Sequence, residues 1–348
     1  MRLLDRIAQS RAPLLIRQGG ALWRLPSACD FSADIGRCPL RYVLTDELLR
    51  LCVELAYSEG DDLSACLDLV HFPAEQLWIE WNEEVKRAEL ARLIPECVLR
   101  MESPTSRKGV FISAQPGSAA AFRCCSLRTF WSPCDRPAHA LVAAAETQLD
   151  LEHHLTCGPV DAFLDGGLIA VRDPADAGVD AVLQHAGFRL DPLWQRYYRS
   201  TAHGPARDGI ICACLAGVAF DVPIILALFL LMALRSGLRQ VPVHHARLNA
   251  KRSRLHRPAL LAHIEVSCPV LTAADPPASG AHMARGAPRF HHVRGHLVRR
   301  GDALFWRRPH WRGHLRLGCV RSRTVELLPP SLTPAGMAAS GHGSGDSA

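Results

Sequence analysis

Apolar and polar positions repeat with two periods along this chain, and the changes between them predict its elements. A spacing of three to four residues marks "RLLDRIAQ" near the start as a short amphipathic helix. It also marks "TDELLRLCVELAYSEGDDLSACLDLV", Thr45 to Val70, as two helices broken at Gly60, with Thr45 and Ser64 as caps. A spacing of two predicts strands. "LLIRQGGALWRL" reads as two strands around a tight turn at Gly19-Gly20. "LWIEWNEE", Leu77 to Glu84, reads as a half-buried strand, with Glu80, Glu83 and Glu84 as surface charge at its end. Strand-like runs on either side of Gln115-Pro116-Gly117-Ser118 predict a second hairpin. "GGLIAVRD" suits another strand, "AGVDAVLQHAGF" a short helix ended by Gly187, and "DLEHHLTC", from Asp150, an exposed helix turn.

The most apolar run, Gly209 to Ala233, is long enough at helical rise to cross a bilayer. Asp221 and Pro223 interrupt it, and each uninterrupted half is too short to span alone. The expectation is therefore a buried core helix from Val222 to Arg235, and no membrane association. After it come a basic loop, Arg247 to Arg257, and a strand, Leu260 to Val266. Small residues with Pro and Gly then mark a linker at 272–284, and the low-complexity end, 331–348, reads as a disordered tail.

These elements predict an α+β protein of mixed helices and antiparallel strands. Residues 1–271 form a support domain, and 285–330 form a small basic β module rich in His, Arg and Trp. The net charge of +6 is modest, but from Arg285 to Arg323 eleven arginines face one acid, Asp302. So local a positive field draws polyanions: nucleic acid, or the acidic face of a protein. Thirteen cysteines with no Cys-x-x-Cys pair, and a charged start, point to reduced, buried thiols in a cytoplasmic protein. Neither the cysteines nor His244, His245, His256 and His263 form a metal-ligand pattern, so no metal and no cofactor are expected. Phosphate-binding loops, dinucleotide-binding turns and nucleophile elbows are absent from the sequence.

A run of residues resembles a family of uncharacterised proteins of phages and prophage-like regions, whose pattern is LNxxRxxxGKPPL, then PRxHxRRGHxRR, then a tryptophan stretch, a glycine and a closing strand. The matching positions are Leu248, Asn249, Arg252, Pro258 and Leu260; then Pro288, Arg289, His291, Arg294, Gly295, His296 and Arg299; then Trp306, Gly313 and Gly318. The resemblance covers about residues 70 to 327, with "FPAEQLWIEW" standing where such proteins carry W-x-E-W. It implies a soluble protein and supplies no activity. The pattern's Gly-Lys-Pro is His256-Arg257-Pro258 here.

Within the basic module, Gly301-Asp302 between alternating segments predicts a hairpin of "HHVRGHLVRR" with "ALFWRRPHW". On its first strand His292, Arg294 and His296 would share one face, and His291, Val293, Gly295 and Leu297 the other. Arginine forks match phosphate oxygens and tryptophans stack on bases. Arg289, Arg294, Arg299, Arg300, Arg307, Arg308 and Arg312, with Trp306 and Trp311, are therefore the candidate nucleic-acid-binding residues. A second possibility is metal-independent phosphodiester chemistry with His291 and His296 as acid and base, His310 or His314 being the alternate partner. A third is docking on an acidic protein in an assembly role.

Overall fold

An eight-stranded mixed sheet runs through the larger of two units into which the chain divides, Met1–Pro276 with Leu297–Trp306. The computed structural model describes residues 2–57, 63–94, 105–114, 123–134, 139–171, 182–201, 206–216, 218–234, 238–268, 289–293, 296–300, 303–307, 310–312 and 314–319. The predicted turn at Gln115–Ser118, the linker and the tail lie outside them.

Helix α1 (Leu3–Gln9) and the hairpin β1 (Leu14–Gln18) and β2 (Ala21–Leu25) stand where the pattern puts them. Gly19 and Gly20 turn the hairpin with φ of 57° and 77°, the left-handed pair that a two-residue turn requires. There follow α2 (Ser32–Arg37), β3 (Leu40–Leu44), α3 (Asp46–Tyr57), β4 (Gln76–Asn82) and α4 (Glu83–Leu93). A meander comes next: β5 (Thr105–Ala114), β6 (Cys124–Pro133), β7 (Leu141–Asp150) and β8 (Ala186–Leu190). The unit continues with α5 (Pro192–Thr201), α6 (Ala206–Ala216), α7 (Val222–Met232), β9 (Arg239–Val243), α8 (Ala246–Arg254) and β10 (His263–Ser267). In space the strands run β8-β7-β6-β5-β4-β3-β10-β9. Only β3 with β4 and β3 with β10 are parallel.

Both faces of this sheet are covered, which corrects the half-buried reading of β4. Leu77, Ile79 and Trp81 pack with α3 and α7, while Trp78 packs on the other face with Leu3, Leu4 and Ile7 of α1 and with Phe130. A strand buried on both sides has no solvent face to keep polar. Helix α7 holds ten consecutive buried residues, Val222 to Leu231, each aliphatic or aromatic one contributing about 1.5–3 kcal/mol when large. The run from Gly209 to Met232 meets the length and hydropathy of a membrane span, but 81% of its most apolar window is buried against the rest of the protein. Pro223 opens α7, where its missing N–H costs nothing.

Other expectations change for local reasons. The second helix before Val70 is a 3-10 turn, Ser64–Leu69. The described residues of "GGLIAVRD" form no strand: Ile169 makes isolated bridges to Gly158 and Phe188. Gly187 lies inside β8, at a position where a Cβ would strike Leu168 at 2.7 Å. Asp150 accepts the amides of Glu152 (2.9 Å) and His153 (3.0 Å), making an Asx turn where a helix turn was expected. Arg247 to Arg257 is mainly helix α8 rather than a loop.

Candidate nucleic-acid interface

Strand pairing decides which of the predicted site positions come together. β11 (Arg289–Val293) lies between β14 (His310–Arg312), to which it is antiparallel, and β15 (His314–Cys319), to which it is parallel. The register sets His291 opposite Arg312, His292 opposite Trp311, Val293 opposite His310 and Arg289 opposite His314. Alternation along strands then puts positions 289, 291, 310 and 312 on one side of this ladder and 292 and 311 on the other. β12 (His296–Arg300) pairs with β13 (Ala303–Arg307) in a separate two-stranded sheet, as the Gly-Asp signal predicts. Arg300 and Arg307 are exposed there.

The described parts of "HHVRGHLVRR", β11 and β12, thus pair in two different sheets. The alternation expected through His292, Arg294 and His296 passes through Arg294, outside the described residues, while His291 and His296 occupy different ladders. Arg299 and Trp306 are on β12 and β13, while Arg294 and Arg308 lie outside the described residues.

A second cationic surface belongs to the larger unit. No Asp or Glu occurs between Asp221 and Glu265, while Arg239, Arg247, Lys251, Arg252, Arg254 and Arg257 do. Helix α8 buries none of its residues, so something other than a packed face must hold it. Asn249 supplies that hold: its side chain donates to the carbonyl of Leu260 (2.9 Å) and accepts from the Leu260 amide (2.8 Å). Arg252 Nε donates to the Pro258 carbonyl at 2.7 Å. Beyond the helix, His256 N–H bonds Ser253 O (3.0 Å) and Arg257 N–H bonds Arg252 O (2.9 Å), with His256 at φ 50°. Those two bonds with a left-handed residue are a Schellman stop. Arg247, Lys251, Arg254 and Arg257 remain exposed.

At the entry to α8 the ring of His245 lies 5.4 Å from that of His263. His263 is buried, with Nδ1 3.4 Å from the Leu261 carbonyl and no partner at Nε2 among the described residues. Burial first, then the charge of Arg2, pushes its pKa down to about 4, so this imidazole is neutral at pH 7. It adds no charge to the basic surface.

The buried charges of the larger unit belong to the scaffold. Lys86 Nζ lies 2.8 Å from Glu83 Oε1 and 2.6 Å from Asp221 Oδ1, and Lys108 Nζ lies 2.6 Å from Asp221 Oδ2. Trp81 Nε1 donates to Glu83 at 2.7 Å. Two lysines against two carboxylates leave no net charge, and burial is overcome at Glu83 by both lysines, which hold its carboxyl below the usual range. Glu80 accepts the amides of Leu3 (2.9 Å) and Leu4 (3.0 Å) at the N-terminus of α1 and pairs with Arg107. Both Glu80 and Glu83 are buried, which corrects their reading as surface charge; Glu84 is exposed as expected. No family model, no curated protein and no solved structure matches this chain.

Proposed function

We propose that this protein binds nucleic acid through its basic C-terminal module, with Arg289, Arg294, Arg299, Arg300, Arg307, Arg308 and Arg312 on phosphates and Trp306 and Trp311 stacking on bases. One observation carries the reading. The ladder of β11 sets His291 opposite Arg312 and Arg289 opposite His314, in a stretch from Arg285 to Arg323 with a single acid. No carboxylate stands on any described rung of this ladder, so Arg289 and Arg312 face no acidic position across the strands and their guanidinium groups suit an anion from outside. A phosphodiester backbone supplies such anions at regular spacing. The resemblance supports a phage- or prophage-type protein, and thirteen cysteines with no Cys-x-x-Cys pair suit a cytoplasmic setting.

The register favours one further use of the same module. His310, opposite Val293, stands two rungs from His291, which faces Arg312. In phosphodiester cleavage one imidazole would take the proton from the attacking hydroxyl and the other would give a proton to the leaving oxygen, while arginine offsets the charge gained at phosphorus. The pair His291 and His310 suits this better than His291 and His296, which are in different sheets.

The test is a salt titration of the full-length protein against labelled single- and double-stranded RNA and DNA, with the length of each probe checked afterwards. The triple variant Arg294→Ala, Arg299→Ala, Arg307→Ala should bind every sequence more weakly, with the slope of log K against log salt reduced by roughly two to three. An unchanged slope overturns the reading. Absence of binding at 50 mM salt also overturns it and turns the basic module toward an acidic protein. Shortened probe that survives His296→Ala but not His310→Ala would establish the cleavage reading.

A further inference from the structure

The outward face of helix α8 has the form of a second phosphate-binding surface, and the argument begins with what holds the helix in place. Asn249 is tied to Leu260 on both its side-chain atoms and Arg252 to Pro258, so these two polar residues are committed to the fold. Arg247, Lys251 and Arg254 are exposed and follow one another at i, i+4 and i+7. At about 100° per residue they fall within roughly 60° of the helix circumference, about half a turn from Asn249. The stripe therefore faces away from the anchor. It spans about 10 Å of helix axis, enough to meet about three phosphates at the axial spacing of one nucleic-acid strand.

What the stripe lacks narrows its partner. It carries no aromatic residue on which an unpaired base could stack, whereas base stacking is the usual grip on single strands. Leu248 and Leu255, at 46% and 55% exposure, lie to one side of the stripe, and two side chains make too small an apolar face for insertion into lipid. With no carboxylate from Val222 to Ile264, nothing in this part of the chain neutralises the three cations. Arg257, just past the helix, and Arg239, on the edge strand β9, extend the field on the same unit.

We propose that α8 docks on the phosphate backbone of a nucleic-acid duplex through Arg247, Lys251 and Arg254. This rests on the reading that the protein binds nucleic acid, but places a separate contact outside the C-terminal module. Its test compares three full-length proteins by fluorescence anisotropy on a 20-base-pair DNA duplex, the corresponding RNA duplex and one unpaired strand, from 50 to 200 mM salt. The helix variant Arg247→Ala, Lys251→Ala, Arg254→Ala should lose about 2.7 from the duplex salt slope, so that the fall in affinity over that range shrinks by roughly 40-fold. Its affinity for the unpaired strand should change less than threefold. The charge-keeping variant Arg247→Lys, Arg254→Lys should retain the parent slope, and both should melt at the parent temperature, since none of the three side chains is buried.

A helix variant with the parent's duplex slope overturns the proposal, and the proposed function survives if the C-terminal triple variant still weakens binding. Equal losses on duplex and unpaired strand overturn duplex selectivity. If the parent binds none of the probes at 50 mM salt, both readings fall together.

Discussion

His256 holds a backbone conformation that a side chain with a Cβ pays to adopt. At φ 50° it is the left-handed residue of the stop that ends α8. Left-handed backbone costs a non-glycine residue roughly 1–2 kcal/mol, of which glycine gives back part through its greater freedom when unfolded. His256→Gly is therefore expected to stabilise the protein by roughly 0.5–1 kcal/mol, seen as a higher urea midpoint at unchanged m-value. His256→Val should lower the midpoint, and a glycine variant less stable than the parent would remove this account. Pro258 is tolerated two residues after His256 because the helix has already ended. Asn249 and Arg252, which resemble ligand-binding residues in a basic segment, serve the backbone of the same turn. Residue identity alone could not separate these structural cations and amides from Arg247, Lys251 and Arg254.

Among the elements, α4 and α7 show how a polar constraint can sit inside an apolar core. Asp221, which interrupts the most apolar run of the chain, is buried at the start of α7 between Lys86 and Lys108. Removing one partner of a buried ion pair leaves the others uncompensated and typically costs 3–5 kcal/mol. Lys86→Met should destabilise by about that amount. The double variant Lys86→Met, Glu83→Gln restores the balance of charge and should recover at least half of the loss. Thermal and urea unfolding measure both, and a loss below about 1 kcal/mol for Lys86→Met would show that the cluster does not hold these elements together. The same cluster explains a limit of sequence reading. Helices α3 and α7 and the β1–β2 hairpin were legible because their signals are local: apolar spacing, a long apolar run and a glycine pair. The burial of Glu83 was not, since one of its stabilising lysines, Lys108, is on the neighbouring β5, and Asp221 comes from a distant part of the chain. Helix α8 was hidden for a related reason. It has no apolar face to give it a period, and its stop carries histidine where glycine would have announced it.

At the scale of the whole molecule, burial and charge are divided along the chain. Every described residue of the two hydrophobic clusters lies between Leu3 and Val266, while the densest cationic stretch comes after Arg285. Leu297–Trp306 is also counted with the larger unit, but the buried residues of both clusters come from the chain before Pro276. Folding of the larger unit should therefore depend little on the chain beyond Pro276. A protein ended there should unfold cooperatively within about 4 °C of the full-length midpoint, a shift equivalent to roughly 1 kcal/mol for a unit of this size. A broad or absent transition would mean that the later strands complete the core. The same truncation separates the two proposed surfaces, because α8 is retained and the C-terminal module is not. Duplex binding should persist with a smaller salt slope, whereas affinity for an unpaired strand should fall by at least tenfold with the loss of Trp306, Trp311 and their arginines. If the shortened protein folds but keeps its affinity for the unpaired strand, the stacking role given to those tryptophans is wrong. If it folds but loses duplex binding altogether, α8 does not bind on its own, and the cations of the C-terminal module carry the interaction.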